Sequence, residues 1–201
     1  MTTGVRPAAG RFDDLARVVG PRRQGAGACW CTSYRDARVP NAERPAYMSA
    51  RCDTEPGPGV LVHVDDEVAG WCSVAPRSTY RRLGRSRTIP TLDDRDPWSV
   101  VCLVVRAGFR RRGLMHVLLA GAVEHARAHG AQVVEGYPVE VAGTRVDVVP
   151  GYVGTVELFE AAGFHRAAPT TAHSGHRERW VVRRELGEAG VPQVRGSRPG
   201  G

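Results

Sequence analysis

Residues 109–116, Phe109-Arg110-Arg111-Arg112-Gly113-Leu114-Met115-His116, are the part of this 201-residue chain best suited to chemistry. They join an apolar run, residues 99–105, to a segment with helical periodicity over residues 113–129. A strand that enters a helix through an Arg- and Gly-rich loop aims unpaired backbone N–H groups and the positive end of a helix dipole at one spot. Such a spot suits a phosphate. Three consecutive arginines add positive charge around it; taken alone, they read equally well as a solvated basic turn.

The other reactive residues form weaker patterns. Cys29, Cys31, Cys52, Cys72 and Cys102 are odd in number and unevenly spaced, so reduced thiols are expected rather than a disulfide framework. Cys29-Trp30-Cys31 is a C-x-C, and His173-x-x-His176 stands in a polar stretch without a second pair, so no metal site is expected. A carboxylate, Glu135, interrupts the apolar run Val133-Val134-Glu135-Gly136-Tyr137. There it costs free energy unless exposed, paired or used.

The elements that position these residues follow from periodicity. Residues 5–7 read as a short strand, 11–19 as a helix, 29–34 as a strand or a helix start, and 42–51 as a helix capped by Asn41. Residues 60–64 and 68–74 read as a hairpin closed by Asp65-Asp66-Glu67. The polar connection over 77–97 is long enough to imply a functional loop. The strand over 98–105 is apolar throughout and so central. With the helix over 113–129 and a strand over 132–141 it makes a parallel β-α-β crossover. A helix over 154–162 ends at Gly163, and residues 180–186 alternate like an edge strand, partnered by 165–168. Residues 1–186 are expected to form one domain, and residues 187–201, rich in Gly, Pro, Ser and Arg, a disordered tail.

Composition narrows the partners. The net charge of +7 comes entirely from 28 arginines, with no lysine in the chain and a single isoleucine, a pattern of GC-rich coding. The arginines are scattered except at 110–112, which favours a small polyanion over nucleic acid. No apolar run approaches the roughly 18 residues of a membrane span, and the first ten residues lack the features of a secretory signal. A cytoplasmic protein is expected, and a homodimer stays open.

Arg110-x-x-Gly113-x-Met115 after an apolar strand resembles the R/Q-x-x-G-x-G/A signature of the GNAT superfamily of acetyl-CoA-dependent N-acetyltransferases. Phe109-Arg110, Leu118-Leu119 and Phe159-Glu160-Ala161-Ala162-Gly163-Phe164 agree with it in order. The resemblance covers residues 5–186 in element order and residues 101–164 in motif. It implies an α/β (α+β) fold: a mixed, mostly antiparallel sheet with a central parallel β-α-β crossover and flanking helices. It also implies acetyl-CoA as co-substrate and acetyl transfer to a primary amine of a small molecule or peptide, by direct attack in a ternary complex.

Carried onto this chain, the resemblance has Arg110, Arg111, Arg112, Gly113, Leu114, Met115 and His116 hold the pyrophosphate, while the backbone of Leu103, Val104 and Val105 aligns the thioester. Cys102, a strand thiol without an evident base, reads as packing rather than as an acyl carrier. Glu135 is the candidate base, with an Arg-bonded structural carboxylate as the alternative, and a water relay through Ser99 or Asp96 is a further route. Asp93, Asp94 and Asp96 either attract a cationic amine or solvate a loop.

Two departures stand out. Met115 replaces a small residue at the third signature position. Phe159 stands where many relatives carry the Tyr that protonates the leaving thiolate, and a phenyl ring cannot donate a proton. Tyr152 is the best replacement acid, and reads equally well as a wall of the substrate pocket. Phe159 also motivates the alternative of a non-catalytic module that binds acyl-CoA or sequesters a ligand.

Overall fold

The computed structural model of the chain describes residues 2–23, 26–141 and 152–187. Seven strands form one sheet in the order β1-β2-β3-β4-β5-β7-β6. They are β1 (Thr3–Pro7), β2 (Gly59–Val64), β3 (Glu67–Pro76), β4 (Trp98–Val105), β5 (Val133–Gly136), β6 (His165–Ser174) and β7 (Arg177–Glu185). Every neighbouring pair is antiparallel except β4 and β5, which run parallel. The helices are α1 (Phe12–Val19), α2 (Thr32–Arg35), α3 (Arg44–Cys52), α4 (Arg81–Gly84), α5 (Leu114–Ala128) and α6 (Val156–Glu160). The fold is therefore the expected mixed sheet with one parallel crossover and flanking helices.

Strand β4 lies fourth of seven, as its apolar, β-branched sequence requires. Helix α5 buries Leu114, Leu118, Leu119, Ala122, Val123 and Ala126, a single stripe laid on one face of the sheet. Each buried Leu or Val there contributes about 1.5–3 kcal/mol relative to exposure. The helix closes with Gly130 at φ 78°: Gly130 N–H donates to Arg127 O and Ala131 N–H to Ala126 O, so its last carbonyls are satisfied. The opposite face packs against two smaller clusters, one around Leu15, Trp30, Met48 and Trp71, the other around Tyr80, Leu83, Ile89 and Tyr137.

Several expectations need correction. The helix near Asn41 begins at Arg44, with Glu43 as its cap residue. The Asn41 side chain instead accepts from Ala28 N–H, tying down the preceding loop. The strand expected over 132–141 ends at Gly136, because Pro138 has no N–H to continue a ladder. The segment 180–186 is not an edge strand: β7 lies between β5 and β6, and the edge belongs to β6, which runs to Ser174. Val181 packs into the Tyr80–Tyr137 cluster and Val182 into the α5 cluster, so both faces of β7 are covered at its centre, as an inner strand requires. The connection over 77–97 contains a 3₁₀ turn, Arg77–Thr79, and α4. The expected tail, apart from Gly187, lies outside the described residues.

Candidate functional site

The parallel ladder between β4 and β5 pairs only Trp98, Val100 and the residue between them with Val134, Gly136 and the residue between those. Beyond Val100 the two strands part, while β4 stays paired with β3 as far as Val105. Arg106 N–H donates to Ala69 O on the β3 side. Strand alternation then turns the backbone groups of Leu103 and Val105 the other way, toward the gap. Val105 O indeed accepts from Arg110 Nε at 3.4 Å rather than from β3.

Phe159 builds the floor of the gap. Its ring is fully buried, edge-on to Phe164 at 5.1 Å. A Cβ on Gly136 would stand 2.1 Å from the Phe159 ring. Gly136→Ala is accordingly expected to destabilise the fold by about 1–3 kcal/mol through overpacking, read as a lowered Tm. The position where many relatives carry a Tyr is thus filled by core here, and Phe159 does not line the pocket.

Above this floor opens a pocket of about 860 Å³. Leu103 and Val105 form one wall, the loop from Ala107 to His116 another, and Tyr152, Gly154, Thr155 and Leu158 a third. Every residue of the arginine loop singled out from sequence, Arg110 to His116, borders it. Val104 does not; its side chain packs on the opposite face with the Trp71 cluster. Ala107, Gly108, Thr155 and Leu158 were not legible as site residues, since nothing in their types marks them.

The loop is shaped for an anion. Arg111 at φ 60° and Gly113 at φ 72° both take the left-handed conformation, and α5 starts directly after them. Among the described residues, the amides of Arg111, Arg112, Gly113, Leu114 and Met115 have no backbone acceptor; the first capping bond in this turn is His116 N–H to Gly113 O. Unpaired amides at a helix N-terminus with left-handed residues before it form an anion-binding concavity.

Arg110, Arg111 and Arg112 are exposed, and among the described residues no carboxylate pairs with them. The guanidiniums of Arg106 and Arg112 lie over the Phe109 ring at 5.5 and 5.4 Å, which anchors the loop. Met115 is half-buried and packs against the α5 core, so its long side chain leaves the amides clear. Tyr152, 45% exposed at φ 54°, stands at the mouth.

Glu135 is held elsewhere. It is 1% exposed on the sheet face away from α5 and does not border the pocket. Arg183 Nε donates to its Oε1 at 2.7 Å; Arg77 Nη1 and the Tyr137 hydroxyl donate to its Oε2 at 3.0 and 2.9 Å. Burial pushes the Tyr137 phenol well above its ordinary range, so it remains a neutral donor; Ser99 Oγ lies 2.8 Å from it. Arg183 also grips Asp93 with two hydrogen bonds, and these, with those from Arg95, hold the Asp93 carboxyl well below the usual carboxylate range. Asp96 accepts from Ser78 N–H and Oγ. Two of the three loop acids are thus engaged inside the protein.

These features define a class. The family model described as acetyltransferase (GNAT) family matches residues 28–145, and the chain belongs to that family. Solved structures agree in fold. An N-acetyltransferase from Staphylococcus aureus is 12% identical with a TM-score of 0.57, covering 92% of this chain and 99% of that one. A GNAT-family acetyltransferase from Bacillus cereus is 17% identical with a TM-score of 0.54, covering 92% and 98%. The protein yncA from Salmonella typhimurium, solved with its cofactor acetyl-CoA, is 14% identical with a TM-score of 0.52, covering 96% and 99%. No curated protein matches the sequence. Among the described residues no group of three His, Cys, Asp or Glu side chains could hold a metal, and no helix is long and apolar enough to cross a membrane.

Proposed function

We propose that the chain is a cytoplasmic N-acetyltransferase that moves an acetyl group from acetyl-CoA to a primary amine of a small molecule or peptide, by direct attack within a ternary complex. The observation that carries this reading is the run of amides from Arg111 to Met115, left without acceptors among the described residues at the start of α5 and opening on the gap between β4 and β5. When bound, acetyl-CoA supplies an acyl carbon activated as a thioester.

The chain's own residues do the rest. The loop amides and the guanidiniums of Arg110, Arg111 and Arg112 hold the pyrophosphate. The N–H groups of Leu103 and Val105, turned to the gap, align the acyl arm as a further strand would. One of them donates to the oxygen where negative charge develops, an interaction worth about 3–4 kcal/mol when preorganised. Holding both reactants together contributes several kcal/mol more. The acceptor attacks as the free amine, since only an unprotonated nitrogen has the lone pair to do so; among the described residues bordering the pocket there is no carboxylate. Tyr152 holds a proton at the mouth for the departing thiol, and Glu135 serves as a positioning residue.

Free-thiol release with acetyl-CoA and a panel of amines tests the reading. Turnover with at least one acceptor is expected, and self-acetylation of lysine cannot mimic it because the chain has none. Tight CoA binding with no turnover on any amine would favour the second reading, a non-catalytic acyl-CoA-binding module, which the buried Phe159 at the usual Tyr position supports. In the same assay Tyr152→Phe is expected to lower kcat by about 10²-fold or more while CoA affinity holds. An unchanged kcat would make Tyr152 a wall of the pocket.

A further inference from the structure

The loop before α2 brings Cys31 against β4, where its Sγ lies 3.4 Å from that of Cys102 across 71 residues of sequence. Neither is in a disulfide. The approach is imposed on a strained backbone. Trp30 and Cys31 stand at φ 51° and 52°, two consecutive left-handed residues of which neither is Gly or Asn. Each such residue costs on the order of 1–3 kcal/mol and persists only where its surroundings dictate it. Here Trp30 stacks on Phe12 at 5.8 Å, and Trp71 Nε1 donates to Cys31 Sγ at 3.0 Å.

The surroundings favour a thiolate on Cys31. As thiols, Cys31 donates to Cys102; once Cys31 loses its proton, Cys102 S–H donates back and Trp71 N–H remains in place. Arg35, 3% exposed, donates to Pro58 O, Ser73 Oγ and Tyr80 OH, its Nε has no partner, and among the described residues no carboxylate pairs with it. A buried cation without a counter-ion stabilises an anion nearby. The hydrogen bond from Cys102 is the main cause that lowers the Cys31 thiol, with Trp71 and Arg35 adding to it against burial. Cys102 is raised, first by the same bond and then by burial. Cys31 is 5% exposed, and Cys102 is exposed in part as a residue while its thiol is desolvated by burial.

We propose that Cys31 and Cys102 form an oxidative modification site whose co-substrate is a hydroperoxide. The Cys31 thiolate takes the terminal oxygen: the O–O bond breaks, an alkoxide or hydroxide leaves and is protonated, and Cys31 becomes a sulfenic acid. The Cys102 sulfur then attacks Cys31 Sγ and its proton leaves with the hydroxyl as water, so that one S–S bond replaces one S–O bond. Two electrons pass from the two sulfurs to the peroxide. The sulfurs need close by only about 1.4 Å to reach a disulfide length near 2.05 Å. The bond ties the segment bearing α2 to β4 beside Leu103.

The remaining thiols fit a selective reaction. Burial pushes Cys52 up to about 11 and Cys72 well above its ordinary range, while Cys29 is exposed and competes for oxidant. The experiment therefore uses the full chain carrying Cys29→Ser, treated with hydrogen peroxide, alkylated and mapped by mass spectrometry without reductant. A Cys31–Cys102 crosslink that dithiothreitol removes is expected, with two of the four remaining thiols lost.

Adding Cys102→Ser should leave Cys31 as a sulfenic acid captured by dimedone, at least about tenfold more than Cys102 is labelled when Cys31→Ser is added instead. A crosslink between other cysteines, over-oxidation of Cys31 without a crosslink, equal labelling of the two variants, or no oxidation would overturn the proposal.

Discussion

Replacing Gly113 with Glu is expected to weaken CoA binding at least about a hundredfold, a loss of about 3 kcal/mol. Two effects add. Gly113 stands at φ 72°, where a side chain costs roughly 1–2 kcal/mol of backbone strain, so the loop relaxes away from the geometry that aims its amides. The carboxylate also stands where the proposed pyrophosphate sits; two like charges about 4 Å apart repel by about 1–4 kcal/mol between the dielectric limits of water and protein surface.

The control is Gly113→Ala. A Cβ at this position meets nothing within 4 Å, so Ala carries the strain without bulk or charge. It should lose about tenfold or less in affinity. Calorimetric titration with CoA separates the two variants, and unaltered affinity in Gly113→Glu would remove the loop from the donor site.

This donor loop could be read from sequence because its signal is local. An apolar strand, a left-handed Gly and an amphipathic helix follow one another between Trp98 and Ala128, and the strand and the helix each leave their own periodicity. The fold class followed from the same source: hairpin spacing for β2 and β3, and strand–helix–strand spacing for β4, α5 and β5. Sheet order across long separations was not legible in this way. Nothing in residues 177–185 reveals that they insert between β5 and β6: the polar residues at both ends of the strand suggest an edge, whereas Val181 and Val182 at its centre are buried on opposite faces of the sheet.

The surroundings of Glu135 were hidden for the same reason. Its partner Arg183 is its register mate across the β5–β7 ladder, and Arg77 arrives from the end of β3. Each choice between a used carboxylate and a paired one depended on contacts 48 and 58 residues away. Phe159 shows the converse. Its identity already excluded a proton donor, but only packing against Gly136 and Phe164 reveals that the position belongs to the core.

Glu135→Gln sets the two roles of this residue against each other, and a loss of stability rather than of chemistry is expected. The substitution keeps the volume but turns one of the two acceptor positions into an N–H donor, facing the guanidinium of Arg183 or of Arg77. Arg183 retains Asp93, whereas Arg77 has no other carboxylate among the described residues. Breaking a buried ion pair from one side costs about 3–5 kcal/mol because a charge is left uncompensated. At about 2–4 °C per kcal/mol for a chain of this size, Tm should fall by on the order of 10 °C.

A general base would behave differently: kcat would fall by about 10²–10⁴ and the pH–rate profile would lose a limb, with unfolding little changed. As a positioning residue, Glu135→Gln should keep the wild-type pH profile and lose less than about tenfold in kcat at temperatures well below its Tm. The double variant Glu135→Leu with Arg77→Met removes the buried charges of Glu135 and Arg77, leaves Arg183 paired with Asp93, and fills the space with apolar side chains. It should be more stable than Glu135→Leu alone, since the penalty of the single change lies in the orphaned guanidinium. Turnover by that double variant, with no carboxylate left at position 135, would place the proton transfer elsewhere in the protein or in water.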